Sequence, residues 1–404
     1  MRILATILKG SESADIAEQS VRRFEVNYRG IFQKTLGYRI TKDLVYIAHS
    51  DGKTAFSNGR YSDDPQRNGV PCANFAFFSD KLSEEELEAV ASAKMDIDRA
   101  DIVSVLDDTM VKGLEPWGHY GIRPINEKVI PGGTLLVISR RSSQDIVRFL
   151  EKKPFNYRLA ILPGDASFAG LWYYRDDNTD VRMLGAVARI APEIINLEKA
   201  RAHVKKAYKT DEKVRALQDG YDSVSITEVK MGQGIEWPYP KPVLPAWNEF
   251  DEGIVVKAAP NLFKLGPRGL GRNPDYKRGT SKTQRPVVRF DICTKCTLCW
   301  YECPDECFDP TPDGLYDVNY DYCTGCGRCA EVCPVNECII MVDELNFADN
   351  NSPWESYKKD PQAYTRMIEE KKGKGRMMPS HVTGKGESTT EISKPVPFKT
   401  GKAA

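Results

Sequence analysis

Two short runs of cysteine constrain this chain more than anything else in its 404 residues. The first is Cys293, Cys296, Cys299, Cys303, then Pro304; the second is Cys323, Cys326, Cys329, Cys333, then Pro334. Both have the spacing C-x2-C-x2-C-x3-C-P, and every position of the first recurs 30 residues later, so the segment is an internal duplication. A loop with two-residue gaps lets three thiolates converge on three corners of a cubic iron–sulfur cluster. The fourth Cys, past a turn fixed by proline, points to the other cluster. The expected ligand sets are therefore crossed: Cys293, Cys296, Cys299 and Cys333 for the first [4Fe–4S] cluster, and Cys323, Cys326, Cys329 and Cys303 for the second. Thr294, Lys295, Thr297, Thr324, Gly325 and Gly327 fill the gaps, and their backbone N–H groups are placed to bond the sulfurs. Zinc and a disulfide scaffold are the rival readings. Structural zinc spaces its Cys pairs farther apart and often recruits His, and none of the four His lies in this segment. Disulfides do not persist where thiols are kept reduced.

Three cysteines remain. Cys307 and Cys338 follow the two runs closely and read as small buried residues behind the clusters. Cys72 reads as a core residue, with no His near it in sequence to make it a nucleophile.

The rest of the chain sets the context. Equal numbers of basic and acidic residues, 57 each, argue against a nucleic-acid binder. No apolar run approaches the ~20 residues that cross a bilayer. The opening MRILATILKG has too short an apolar core for a secretory signal, so a cytoplasmic protein is expected. Residues 1–228 read as an α/β domain. Leu44–Ala48, Asn74–Phe78, Ile102–Leu106 and Thr134–Ile138 have strand character, and Ser83–Lys94 begins with a capping box. Val181–His203 and Asp211–Gly220 read as two closing amphipathic helices. Alternating strands and helices imply a mostly parallel sheet.

Residues 229–284 form an extended, Pro-rich linker, because Pro238, Pro240, Pro242, Pro245, Pro260, Pro267 and Pro274 break any period. Between Lys264 and Arg289 eight Lys or Arg face one acid, Asp275. That reads as a solvated basic linker, or as a strap against an acidic partner. Residues 285–348 are the Cys-rich domain, of α+β bacterial two-cluster ferredoxin type. Residues 349–404 are a polar tail, disordered or ordered only where it wraps a partner.

The segment RPVVRFDICTKCTLCWYECPDECFD, followed by YDVNYDYCTGCGRCAEVCPVNECIIMV, closely resembles the ferredoxin-like delta subunit of the 2-oxoacid:ferredoxin oxidoreductases, the pyruvate synthase family. The discriminating details are Arg285–Val287, Leu298–Trp300, Cys303–Asp305 and the Tyr-Asp-Tyr before Cys323. The stretches GVPCANFAFFSDK, ADIVSVLDDTMV, PGGTLLVIS, NTDVRMLGAVARIAPEIINLEKA and GYDSV are similar, more distantly, to that family's gamma subunit. The resemblance implies a fused gamma–delta subunit. Alpha and beta partner subunits would carry thiamine diphosphate and Mg and decarboxylate a 2-oxoacid, pyruvate being the commonest. The two clusters here would pass single electrons to ferredoxin, or run the reverse carboxylation, and no residue of this chain would be catalytic. One turn departs from the family. The first strand, ILATILKG, runs into Ser11, Glu12, Ser13, Ala14 and Asp15, where the family has a glycine-rich loop suited to a phosphate-bearing ligand such as coenzyme A. The departure marks either a relative that needs no coenzyme A, as in the oxalate-oxidising branch, or simple divergence. An iron–sulfur subunit of another redox complex, such as a hydrogenase arm, and a metal-stapled structural protein are the competing classes.

Overall fold

The computed structural model describes residues 20–60, 71–91, 97–114, 122–165, 177–240, 277 and 279–372. The ILATILKG strand with its acidic turn, most of the basic strap, and the tail from residue 373 lie outside the described residues.

A seven-stranded sheet organises the N-terminal half, in the order β2-β3-β1-β4-β5-β6-β7. Its strands are β1 (Arg22–Arg29), β2 (Thr54–Arg60), β3 (Pro71–Ser79), β4 (Ala100–Val105), β5 (Val129–Ile138), β6 (Tyr157–Leu162) and β7 (Ser225–Val229). β1, β4, β5 and β6 run parallel at its centre, while β2, β3 and β7 join antiparallel. Both faces are covered, as a parallel sheet requires. Alternate residues of one strand therefore enter different cores: Ala76 and Phe78 on one side of β3, Phe75 and Phe77 on the other. The helices are α1 (Gly30–Ser50), α2 (Glu84–Ala91), α3 (Ser143–Val147), α4 (Thr179–Ile190), α5 (Leu197–Tyr208) and α6 (Asp211–Ser223). Helix α2 starts with the capping box read from the sequence. The Ser83 N–H donates to Glu86 Oε2 (2.9 Å), and the Glu86 N–H donates to Ser83 Oγ (3.3 Å).

The central strand β1 was not visible in the residue pattern, because Arg23, Glu25, Asn27 and Arg29 alternate with its apolar residues yet are buried. Burial of the three charged ones is tolerable because they are paired: Arg23 donates from Nη1 to Val21 O (3.2 Å), Lys128 Nζ lies 3.0 Å from Glu25 Oε2, and Arg29 donates from Nη2 to Thr109 Oγ1 (2.7 Å). Leu44–Ala48, expected as a strand, is the end of helix α1. Leu36, Ile40, Leu44 and Ile47 are buried at helical spacing while Tyr46 is half exposed, so the five contiguous apolar residues share no single strand face. The helix expected over Val181–His203 is two, α4 and α5. The chain turns at Ala191–Asn196, where Pro192 cannot continue the hydrogen-bond ladder and Asn196 Oδ1 caps the next helix by accepting from the Glu198 N–H (2.8 Å).

Helices α4 and α6 cross at two glycines. A Cβ built on Gly185 would stand 2.0 Å from Leu217 O, and one on Gly220 would stand 2.0 Å from Arg182 O. Gly220→Ala is therefore expected to force the helices apart at a cost of about 1–3 kcal/mol, typical of overpacking. Thermal unfolding checks this, and an unchanged Tm would show that the helices do not meet there.

The C-terminal module repeats one unit. Strand β8 (Gln284–Val288), the first Cys loop, helix α7 (Leu298–Tyr301) and β9 (Phe308–Pro310) are followed by β10 (Tyr316–Val318), the second loop, α8 (Arg328–Val332) and β11 (Ile339–Asp343). β8 pairs with β11 and β9 with β10, both antiparallel, so each half lends one strand to each ribbon. Part of the expected tail is ordered by this chain itself. Helices α9 (Pro353–Lys359) and α10 (Pro361–Lys371) pack on the module, where Tyr364 and Ile368 are buried and the Tyr364 hydroxyl donates to Val288 O (3.0 Å). Tyr357, Tyr364 and Ile368 form a helical stripe over Phe290, which supplies the apolar area that composition alone hid.

The two halves meet at the carboxyl ends of β1 and β4. From β1 the chain enters α1 on one face; from β4 it turns to the other face, where Met110 and Val111 are buried. Diverging connections leave a crevice between the two strand ends. The C-terminal half fills it: Arg29 donates from Nη1 to Thr280 O (2.7 Å), Leu345 enters the N-terminal core, and Glu344 binds Lys112 and Arg285. Lys282 and Arg285, two members of the basic strap, are thus fully buried within this chain and are neither solvated nor free for a partner. Among the described residues no helix is long and apolar enough to cross a membrane.

Candidate metal-cluster site

Each Cys loop is shaped by two left-handed residues ahead of a short helix. In the second loop these are Gly325 (φ 69) and Gly327 (φ 82), a conformation glycine adopts freely. Gly325 is also hemmed in, since a Cβ there would lie 2.2 Å from Gln284 O. In the first loop the same places are held by Lys295 (φ 59) and Thr297 (φ 68). The repeat therefore conserves the backbone where it does not repeat glycine, a strain that residue types alone do not disclose.

Two cavities open inside the loops. One is ringed by Cys293, Cys296, Cys299 and Cys333, with about 390 Å³ of empty space; the other by Cys323, Cys326, Cys329 and Cys303, with about 300 Å³. Each ring takes three thiols from one run and one from the other. Among the described residues no three His, Cys, Asp or Glu side chains are placed to hold one metal ion. A cubic cluster needs no such convergence, because each corner takes a single thiolate. A larger open depression over α9 and α10, lined by Asp291, Tyr357, Arg366 and Glu369, contains no cysteine and lies apart from these chemical groups.

The polar surroundings suit sulfur ligands. The Gly325 N–H donates to Cys323 Sγ (3.4 Å) and the Cys307 N–H to Cys303 Sγ (3.3 Å). The Trp300 and Arg328 N–H groups serve Cys299 and Cys326 in the same way. Of these four donors the sequence reading named only Gly325; Trp300 and Cys307 stand one and four residues after a cysteine, outside the gaps, and Arg328 fills a gap position that it did not name. Burial pushes the Cys299 thiol up to about 12 and Cys326 up to about 11. The Cys307 thiol bonds to Cys303 and brings it down to about 7, and the same contact lowers Cys323. Ligating thiols must lose their protons, so loading such a site releases protons. Cys72 is buried in β3 and lines neither cavity.

Residues 286–341 match the 4Fe-4S dicluster domain. The chain is 39% identical over 104 residues to pyruvate synthase subunit PorD of Thermotoga maritima, covering 26% of this chain and 93% of that protein. It is 38% identical over 69 residues to ketoisovalerate oxidoreductase subunit VorD of Pyrococcus furiosus, covering 17% and 65%. It is 43% identical over 56 residues to the delta subunit of NADH-dependent phenylglyoxylate dehydrogenase of Aromatoleum evansii, covering 14% and 59%. Among solved structures, pyruvate oxidoreductase subunit PORC of Thermotoga maritima aligns with 52% of this chain and 99% of its own, at 20% identity and a TM-score of 0.37.

Proposed function

Because this chain belongs to the pyruvate synthase PorD family, an electron-transfer subunit family of the 2-oxoacid:ferredoxin oxidoreductases, we propose that it is a fused gamma–delta subunit and that pyruvate is the 2-oxoacid. Residues 1–228 form the gamma-type domain, 229–284 the linker and 285–348 the delta domain. One observation carries the reading: in the dicluster region two cavities are each lined by five thiols, three from one run, one from the other run, and Cys307 or Cys338. Cys293, Cys296, Cys299 and Cys333 would hold one [4Fe–4S] cluster, and Cys323, Cys326, Cys329 and Cys303 the other. When bound, such clusters accept and release electrons one at a time.

The chain's own residues do the rest. Gly325, Cys307, Trp300 and Arg328 offer N–H donors to the thiolates, which stabilises their negative charge. In the second cavity Cys323 and Cys329 are buried, while Cys326 is exposed. This reading assigns no residue of the chain as a catalytic acid, base or nucleophile. Alpha and beta partners with thiamine diphosphate and Mg supply the electrons from decarboxylation, and ferredoxin receives them in the cytoplasm.

A second reading concerns coenzyme A. In the gamma-type domain the crevice between β1 and β4, the place a parallel sheet offers a ligand, is taken by the chain's own Thr280 and Lys282 carbonyls on Arg29. That favours an oxalate-type relative whose reaction needs no coenzyme A. Both readings meet one experiment. The native complex is purified anaerobically and offered pyruvate, 2-oxoglutarate, aromatic and branched 2-oxoacids and oxalate, each with and without coenzyme A, while viologen reduction is followed. Pyruvate-dependent reduction supports the first reading, coenzyme A-independent oxalate oxidation the second, and no reduction by any 2-oxoacid overturns both.

A further inference from the structure

Cys307 and Cys338 hold equivalent places in the repeat. Each follows a glutamate of positive φ, Glu306 (φ 48) and Glu337 (φ 58), and each is 2% exposed and lines one of the two cavities. Their bonding differs. The Cys307 N–H donates to Cys303 Sγ (3.3 Å), and its thiol bonds to Cys303 and Cys323 and lies 3.5 Å from Asp305 O. The Cys338 thiol bonds likewise to Cys333 and Cys293 and lies 3.6 Å from Arg289 O, but its N–H donates to Val335 O (3.2 Å). One inserted residue accounts for this, because Cys307 is four residues past Cys303 and Cys338 is five past Cys333.

We propose that Cys307 is a positioning residue whose thiol and backbone N–H donate hydrogen bonds to the Cys323 and Cys303 thiolates, the N–H being the donor that sets the second cluster at a higher reduction potential than the first. The inference rests on the two-cluster reading above. Each reduction adds one electron, drawn from the substrate or an added reductant, and one negative charge, with no bond made or broken. Donors to the sulfurs stabilise that added charge and raise the potential. Cys338, with its N–H committed to Val335, gives the first cluster no equivalent backbone donor. The duplicated module is thereby made unequal, with a preferred resting place for the electron on the side of Cys303 and Cys323.

The test is an EPR-monitored redox titration of the anaerobically purified complex, with iron content measured on each sample. The second cluster is identified as the signal lost in Cys303→Ala. Cys307→Ala is expected to keep full iron and both signals, with the second midpoint shifted to lower potential. Cys307→Ser keeps a side-chain donor and is expected to restore much of the shift, Cys338→Ala is expected to lower the first midpoint in the same way, and a wild-type second midpoint no higher than the first would overturn the inference. Full iron with an unmoved midpoint in Cys307→Ala would overturn the inference. So would loss of the second cluster in both Cys307 variants, which would make Cys307 a structural residue or a ligand. A wild-type complex without two reducible clusters would overturn the reading beneath it.

Discussion

Cys333→Ala is expected to remove the cluster that Cys293, Cys296 and Cys299, 34 to 40 residues upstream, would hold, and to spare the one that its neighbours Cys323, Cys326 and Cys329 would hold. Cys303→Ala should do the reverse. The expectation follows from the cavities, since Cys333 lines the space of the first run and Cys303 that of the second. The effect is large because ligand loss withdraws metal-binding energy that is also folding energy, on the order of 10 kcal/mol for a well-formed site. Iron content should fall by about half in either variant, and EPR should retain one of two signals. The folded module separates this from simple collapse. The β8–β11 and β9–β10 ribbons draw on both halves, so a variant that keeps one cluster also keeps its fold. Damage confined to the cluster of the mutated residue's own run would refute the crossed arrangement.

The site was far more legible than the scaffold that holds it, for a physical reason. Metal ligation imposes spacing along the chain, and spacing survives in one sequence without any knowledge of the fold. Burial imposes nothing so direct. Strand β1 looked polar because its Arg and Glu partners come from Thr109, Lys128 and the C-terminal half, all remote in sequence. The basic strap misled for the same reason. Lys282 and Arg285 looked like surface charge until Glu344, some 60 residues away, was seen to meet them. The α10 stripe of Tyr364 and Ile368 could have been found by helical period; the overall polarity of the tail concealed it.

That buried charge cluster carries the second large effect. Glu344 accepts from Arg285 Nε (2.8 Å), pairs with Lys112, and lies 3.9 Å from Lys282 Nζ, with almost no exposure. Arg285 also stacks over Tyr320 and Phe347, with its guanidinium 4.2 and 4.6 Å from the ring centres. Glu344→Gln keeps the shape and leaves Arg285 and Lys282 buried without their anion. Breaking a buried pair in this way costs about 3–5 kcal/mol, well above any surface salt bridge. Because Lys112 belongs to the N-terminal domain and Arg285 to the module, the variant should release the module from the sheet. Limited proteolysis of the full chain should then cut between the halves much faster. A cleavage rate equal to wild type would show that the cluster does not hold them together.

The pH dependence gives an independent check. The Glu344 carboxyl is held well below the usual range because three cations outweigh its desolvation. Its stabilisation is therefore present above the unfolded carboxylate value of about 4.3 and is lost as pH falls through the lower folded value. Lys112 runs the other way: burial and the charges of Arg285 and Lys282 outweigh its single anion and bring it down to about 8. Between about 8 and 10.5 the unfolded chain holds more protons at this lysine, so its contribution to stability rises with pH there. In Glu344→Gln the acid limb should vanish. The rising limb should begin below about 8, because Lys112 has lost the one charge that raised its pKa. Urea midpoints followed against pH decide it: an acid limb in the variant as steep as in the wild type would assign that limb to other carboxylates and remove Glu344 from the account.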